Sequence, residues 1–120
     1  STIYYKSVLY QNKERNMDIF NNTDGNIGIN DIALKQWEWV ERMNWHNSTV
    51  LEALALVASE VGEAVNECRG KEPTAEFGSE LADIILRTLD IAQRHNINIG
   101  NEIHKKMSIN EKRGTRGRLV

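Results

Sequence analysis

A single proline, Pro73, stands three residues after Gly70 and separates two long apolar-rich stretches, 50–69 and 74–95. Proline lacks the N–H a helix interior needs and its ring clashes with the preceding turn, while glycine readily takes the backbone that ends a helix. One continuous helix through this region is therefore excluded. Two consecutive helices are implied, and a short connection makes such neighbours antiparallel.

The apolar spacing agrees with this division. At 100° per residue, Val50, Leu51, Leu54, Val57, Ala58, Val61, Val65 and Cys68 share one side of the first stretch, the pattern of a core stripe. Phe77, Leu81, Ile84, Ile85, Thr88 and Ala92 do the same on the second. Upstream, Asp31 is the expected N-cap of a helix on which Ile32, Gln36, Trp39, Val40 and Met43 recur at three and four, ending near Asn44. The connector "NWHNST", 44–49, offers Ser48 or Thr49 as the next cap, and Asn98 caps a fourth helix ending near Arg113. Strand-like alternation is absent after residue 30. The expected fold is all-α, a four-helix bundle-like domain over 31–113. It follows an extension, 1–30, in which "NNTDGNIG" reads as a turn or mobile loop and Ile3 to Tyr10 suits a short helix or strand. A basic tail, 114–120, closes the sequence.

Composition narrows the function classes. A chain of 120 residues, 40% hydrophobic, fits one small domain. A formal charge of −2 provides no basic field, so a nucleic-acid polymer or an anionic membrane has no compositional support as a partner. No apolar run approaches the roughly 20 residues that cross a bilayer. The lone cysteine, Cys68, excludes an intramolecular disulfide, and "STIYYKSVLY" lacks the apolar segment of a secretory signal; a soluble, cytoplasmic protein is expected.

The acidic residues are the chemically informative ones. Glu60, Glu63 and Glu67 lie opposite the apolar stripe of the second helix, flanked by Ala53, Leu56 and Ala64. On the third helix, Glu76, Glu80, Asp83, Arg87, Asp90 and Arg94 point away from its stripe. Asp83 with Arg87, and Asp90 with Arg94, form i,i+4 pairs worth a few tenths of a kcal/mol on an exposed surface. Solvated, salt-bridged faces would satisfy this periodicity. The sharper reading comes from pairing: Glu60 and Glu63 are i,i+3 on one helix, Glu80 and Asp83 are i,i+3 on the next, and antiparallel packing can bring the pairs together. Four close carboxylates repel unless a cation joins them. All-oxygen ligation suits Mg²⁺ or Mn²⁺ rather than zinc. None of the three histidines follows a Glu by three residues, which argues against a di-iron bundle.

The spacing E-x-x-E, sixteen residues, E-x-x-D resembles the signature of the MazG-like all-α nucleoside triphosphate pyrophosphohydrolases. "LALVASEVGEAVNE" at 54–67 and "SELADIILRTLDIA" at 79–92 are similar to that family's two metal-binding helices. "KKMSINEKR" at 105–113 is similar to its K-M-x-x-N-x-x-R segment. The resemblance spans about Ile32 to Arg113 and implies Glu60, Glu63, Glu80 and Asp83 as ligands of Mg²⁺ or Mn²⁺. It implies Lys106, Asn110 and Arg113 as nucleotide or phosphate binders, and a MazG-type fold assembled as a homodimer or homotetramer. The implied reaction is attack of water at the α-phosphorus of a nucleoside triphosphate, NTP or dNTP, giving the monophosphate and pyrophosphate as nucleotide-pool housekeeping. Glu60 or Glu63 would activate the water.

Trp37, Trp39 and Trp45 offer flat surfaces to a base, with Trp37 and Trp45 the stacking candidates and Gln36, Asn44 or His46 as polar readers. Two other functions remain compatible with the residues. One is a related pyrophosphohydrolase acting on another nucleotide such as phosphoribosyl-ATP, and the other a non-catalytic helical module that binds a protein through its acidic faces.

Overall fold

The structure, a computed structural model, describes residues 28–114. The expectations for the extension before Gly28 and for the tail after Gly114 lie outside the described residues. Within them the chain is helical, with no strand: α1 spans Ile29–Arg42, α2 Val50–Asn66, α3 Phe77–Arg94 and α4 Ile99–Arg113.

The helix ends follow local chemistry. Thr49 opens α2 with a capping box, its hydroxyl accepting from the Glu52 N–H at 3.1 Å and its own N–H donating to Glu52 Oε1 at 3.0 Å. Such a cap contributes about 1 kcal/mol. Asn98 opens α4 by accepting from the Asn101 N–H at 2.9 Å. Asn44 and Asn96 take left-handed backbone, φ 58° and 56°, just beyond α1 and α3, where asparagine is among the few side chains tolerated. Three boundaries differ from expectation. Asp31 lies inside the first turn of α1, which starts from Gly28. α2 stops with Glu67 as its C-cap, short of Gly70, and α3 starts at Phe77 rather than Thr74. Thr74 serves the connection instead: its N–H donates to the Glu67 carbonyl at 3.0 Å, its hydroxyl donates to the Glu67 carboxylate, and it accepts from the Glu76 N–H at 3.3 Å.

α3 is the central element. It packs along both α1 and α2, whereas α2 touches neither α1 nor α4 among the described residues, and α4 meets α1 and α3 only lightly. The single chain is thus two helices laid on a third with a peripheral fourth, more open than a closed four-helix bundle. α4 buries none of its residues. It is fastened at its start, where Asn30 donates to Asn98 Oδ1 at 2.9 Å and accepts from the Gly100 N–H at 3.0 Å. A Cβ at Gly100 would come within 3.2 Å of Asn30 Nδ2 and press on the side chain that fastens the helix.

The sidedness of α2 corrects the expected core. Ala64 is 5% exposed and Ala53 is buried with it, while Leu51 is 75% and Val65 59% exposed, and Val50, Leu54 and Val61 are also exposed. The two alanines permit close approach to α3, and that contact turns the side bearing Glu60 inward. The apolar stripe therefore faces away from the chain's own core. α3 departs from expectation in part: Ala92 is buried as its stripe requires, but so is Leu89 from outside the stripe, while Leu81 and Ile85 are exposed. Among the described residues the core consists of Ala53, Ala64, Leu89 and Ala92 with Ala33, Leu34 and Trp37 of α1.

Candidate functional site

Packing of α2 on α3 places Glu60, Glu63 and Glu80 together, one carboxylate oxygen from each lying within 4.8 Å of the others. Glu60 and Glu80 are partly buried and Glu63 is exposed. The Oε2 atoms of both Glu60 and Glu80 are buried with no hydrogen-bond partner. A buried carboxylate oxygen without a donor is costly, and two of them on acids of one close group suit a cation as their complement. Three hard oxygen donors fit Mg²⁺ or Mn²⁺. Asp83, the fourth carboxylate expected here, is exposed and lies outside this trio, on the wall of the neighbouring cleft.

The Glu63 carboxyl is pushed above its ordinary value of 4.5, first by the Glu60 carboxyl beside it, with which it can share a proton, and next by the negative charge of Glu60 and then Glu80. The folded chain therefore binds this proton more tightly than an unfolded chain does. Without divalent ions, the protein is expected to gain stability as pH falls from neutrality through that raised range toward 4.5, and to lose the gain as pH rises again. Glu63→Gln should flatten this dependence and raise the neutral-pH melting temperature in EDTA. Thermal unfolding across the pH series checks both, and an unchanged slope in the variant would remove Glu63 as its source.

Beside the three carboxylates opens a cleft of about 580 Å³ whose walls include Trp39, Trp45, Asp83, Arg87, Asp90 and Arg94. Arg87 joins the two features, its Nε donating to Glu60 Oε1 at 3.0 Å. Trp39 and Trp45 meet edge to face with ring centroids 5.1 Å apart, and Trp45 is 59% exposed. Of the two stacking candidates, Trp45 thus lines the cleft. Trp37 does not: it is 7% exposed, and the His46 ring stacks on it at 5.5 Å. Gln36 is on the cleft wall; Asn44 is not.

His46 is held by both ring nitrogens, Nδ1 against Glu41 Oε2 at 2.5 Å and Nε2 against Asp90 Oδ1 at 2.7 Å. Both ring nitrogens are thereby occupied by carboxylate oxygens. The task of the ring here is to fasten the α1–α2 connector to α3, which leaves neither nitrogen for reading a base. Arg94 pins the same connector, donating through Nη2 to the Ser48 carbonyl at 2.7 Å. These partners replace the expected i,i+4 pairs: Arg87 reaches Glu60 rather than Asp83, and Arg94 reaches Ser48 while Asp90 takes His46. Sequence spacing identified the charged side of α3 but missed Arg87 as part of the cleft, while Trp39, offered with Trp37 and Trp45 as a flat surface, stands on the wall beside Trp45.

Lys106, Asn110 and Arg113 are exposed on α4 and neither join the carboxylates nor line the cleft. No α4 contact with α2 exists to bring them there within one chain. Glu67 is committed to Thr74, and Cys68 is exposed rather than part of a core stripe. Among the described residues no helix is long and apolar enough to cross a membrane. No protein-family model, curated protein or solved structure matches this chain.

Proposed function

We propose that this protein hydrolyses nucleoside triphosphates, NTP or dNTP, to the monophosphate and pyrophosphate in a reaction dependent on Mg²⁺ or Mn²⁺. The observation that carries the reading is the meeting of Glu60, Glu63 and Glu80, two of them with orphaned buried oxygens, beside a cleft walled by Trp39, Trp45 and Arg87. The E-x-x-E and E-x-x-D spacing and its resemblance to the MazG-like family support it. Glu60, Glu63 and Glu80 would hold the divalent ion, which when bound supplies polarisation of phosphate oxygens and neutralises developing negative charge.

The chain's own groups divide the remaining work. Trp45, supported edge-on by Trp39, presents an exposed ring against which a base stacks. Glu60 has one oxygen on Arg87, whereas Glu63 is exposed and meets no cation among the described residues, so Glu63 is the carboxylate available to take a proton from the attacking water. Water adds at the α-phosphorus, the bond to the bridging oxygen breaks, and pyrophosphate departs. Asp83 and Asp90 border the same space.

The assembly that accompanies this reading is a homodimer or homotetramer. The exposed stripe Leu51, Leu54, Val61 and Val65 on α2 is a continuous apolar face of the kind covered by another subunit. A second copy also offers Lys106, Asn110 and Arg113 a route to a phosphate that their own chain does not provide.

The test is incubation with a panel of NTPs and dNTPs plus Mg²⁺, with and without EDTA, and separation of the products by anion exchange. Monophosphate and pyrophosphate, lost with EDTA, are expected. Diphosphate with orthophosphate, or no turnover of any substrate, would overturn the proposal.

A further inference from the structure

Two arginines line the cleft, and they differ in what their donors are doing. Arg94 directs Nη1 to Ser48 Oγ at 3.4 Å and Nη2 to the Ser48 carbonyl at 2.7 Å, so both ends of its fork hold the connector. Arg87 uses Nε alone, on Glu60 Oε1, and its Nη groups meet no acceptor among the described residues. Its side chain is 42% exposed while that of Glu60 is 13% exposed, so the guanidinium reaches from a sheltered carboxylate toward open cleft. A planar fork with one edge engaged and the other directed at solvent suits a phosphate oxygen.

We propose that Arg87 couples the two halves of the site: it is the resident counter-charge of Glu60, opposing a divalent ion there, and its outer edge binds the phosphate adjoining the nucleoside in the Trp39–Trp45 cleft. The inference rests on the functional reading above and deepens it. Glu60 Oε1 is occupied by the guanidinium while Oε2 lies buried and unpartnered, so Arg87 and a divalent ion can share this carboxylate but repel one another across it. An arriving phosphate relieves that repulsion by placing negative charge between the two cations. Cation and nucleotide then favour each other's binding through one side chain, and the coupling must be reciprocal.

Opposite effects on the two ligands distinguish this role from a structural one. Calorimetric titration of the full chain with Mn²⁺ alone gives the first readout. The second is the ratio of affinities for a nucleoside monophosphate and its parent nucleoside without divalent ion, using the tightest binder of the eight common ribo- and deoxyribonucleoside monophosphates. In Arg87→Gln, Mn²⁺ is expected to bind about three- to tenfold more tightly. The advantage of the monophosphate over the nucleoside, roughly tenfold in the parent protein for one charge-assisted contact, should collapse toward unity. Arg87→Lys keeps the charge without the fork, so it should restore the parent Mn²⁺ affinity and only part of the phosphate advantage. If Arg87→Gln weakens both ligands or moves neither, Arg87 has no coupling role although the functional reading stands. If the parent protein binds neither Mn²⁺ nor any monophosphate, that reading falls and Arg87 falls with it.

Discussion

Glu80→Gln is expected to abolish divalent-ion-dependent turnover, lowering kcat by roughly two to three orders of magnitude, while the circular dichroism spectrum stays helical. The substitution preserves shape and removes one negative charge from three carboxylates whose oxygens lie within 4.8 Å. Glu80 Oε2 is buried and receives no hydrogen bond, so the native carboxylate gains nothing from the protein at that atom. Without a cation, its loss should cost no stability, and it relieves the repulsion that raises the Glu63 carboxyl. Activity and stability are thus expected to move in opposite directions. Steady-state kinetics with Mg²⁺ and thermal unfolding in EDTA, on the same preparation, provide both readouts. Activity and stability lost in proportion would make Glu80 a packing residue and leave the site without its buried acid.

Much of this arrangement is legible in the residues, because helix formation and capping are local. Thr49 and Asn98 sit where a side-chain oxygen can satisfy the first free N–H groups, and both do so. The meeting of Glu60, Glu63 and Glu80 follows from i,i+3 spacing on one helix and an antiparallel neighbour. Sidedness is less accessible. Periodicity divides α2 into two faces without saying which one meets α3, and hydrophobicity alone assigns the wrong one. The decision is made by size: Ala53 and Ala64 permit a close approach that branched residues would hold apart, and they carry Glu60 inward with them.

The same principle explains the charged partners of α3. On an isolated helix, Asp83 and Arg87 are neighbours one turn apart. Once α2 lies alongside, Glu60 presents a more sheltered oxygen to Arg87, and a sheltered carboxylate exerts the stronger pull on a guanidinium. Asp90 and Arg94 are similarly drawn off by His46 and Ser48 of the connector. Partners on α2 and on the connector therefore replaced the in-helix pairs. The consequence is that one wall of the cleft is lined by Asp83, Arg87, Asp90 and Arg94, charged side chains that spacing alone assigns to solvent.

The tryptophans separate by the same logic, and Trp37→Ala is expected to produce the largest loss of stability of any substitution near the cleft. Trp37 is 7% exposed among Ala33 and Leu34 on α1, and its ring carries the His46 imidazole 5.5 Å away at an interplanar angle of 24°. Removing a buried tryptophan costs about 3–5 kcal/mol, a large part of the roughly 5–15 kcal/mol that holds a small domain folded. Here the loss extends to the connector, because His46 would keep its bonds to Glu41 and Asp90 only by spanning an emptied cavity. Trp45→Ala provides the contrast. An exposed ring on the cleft wall contributes little to folding, so its removal should leave the urea midpoint within about 0.5 kcal/mol of the parent and weaken nucleotide binding instead. Urea denaturation and nucleotide titration of the two variants side by side distinguish a wall from its foundation. If Trp37→Ala unfolds at the parent midpoint yet no longer binds nucleotide, the ligand lies against Trp37, and the cleft bounded by Trp39 and Trp45 is not where the base is held.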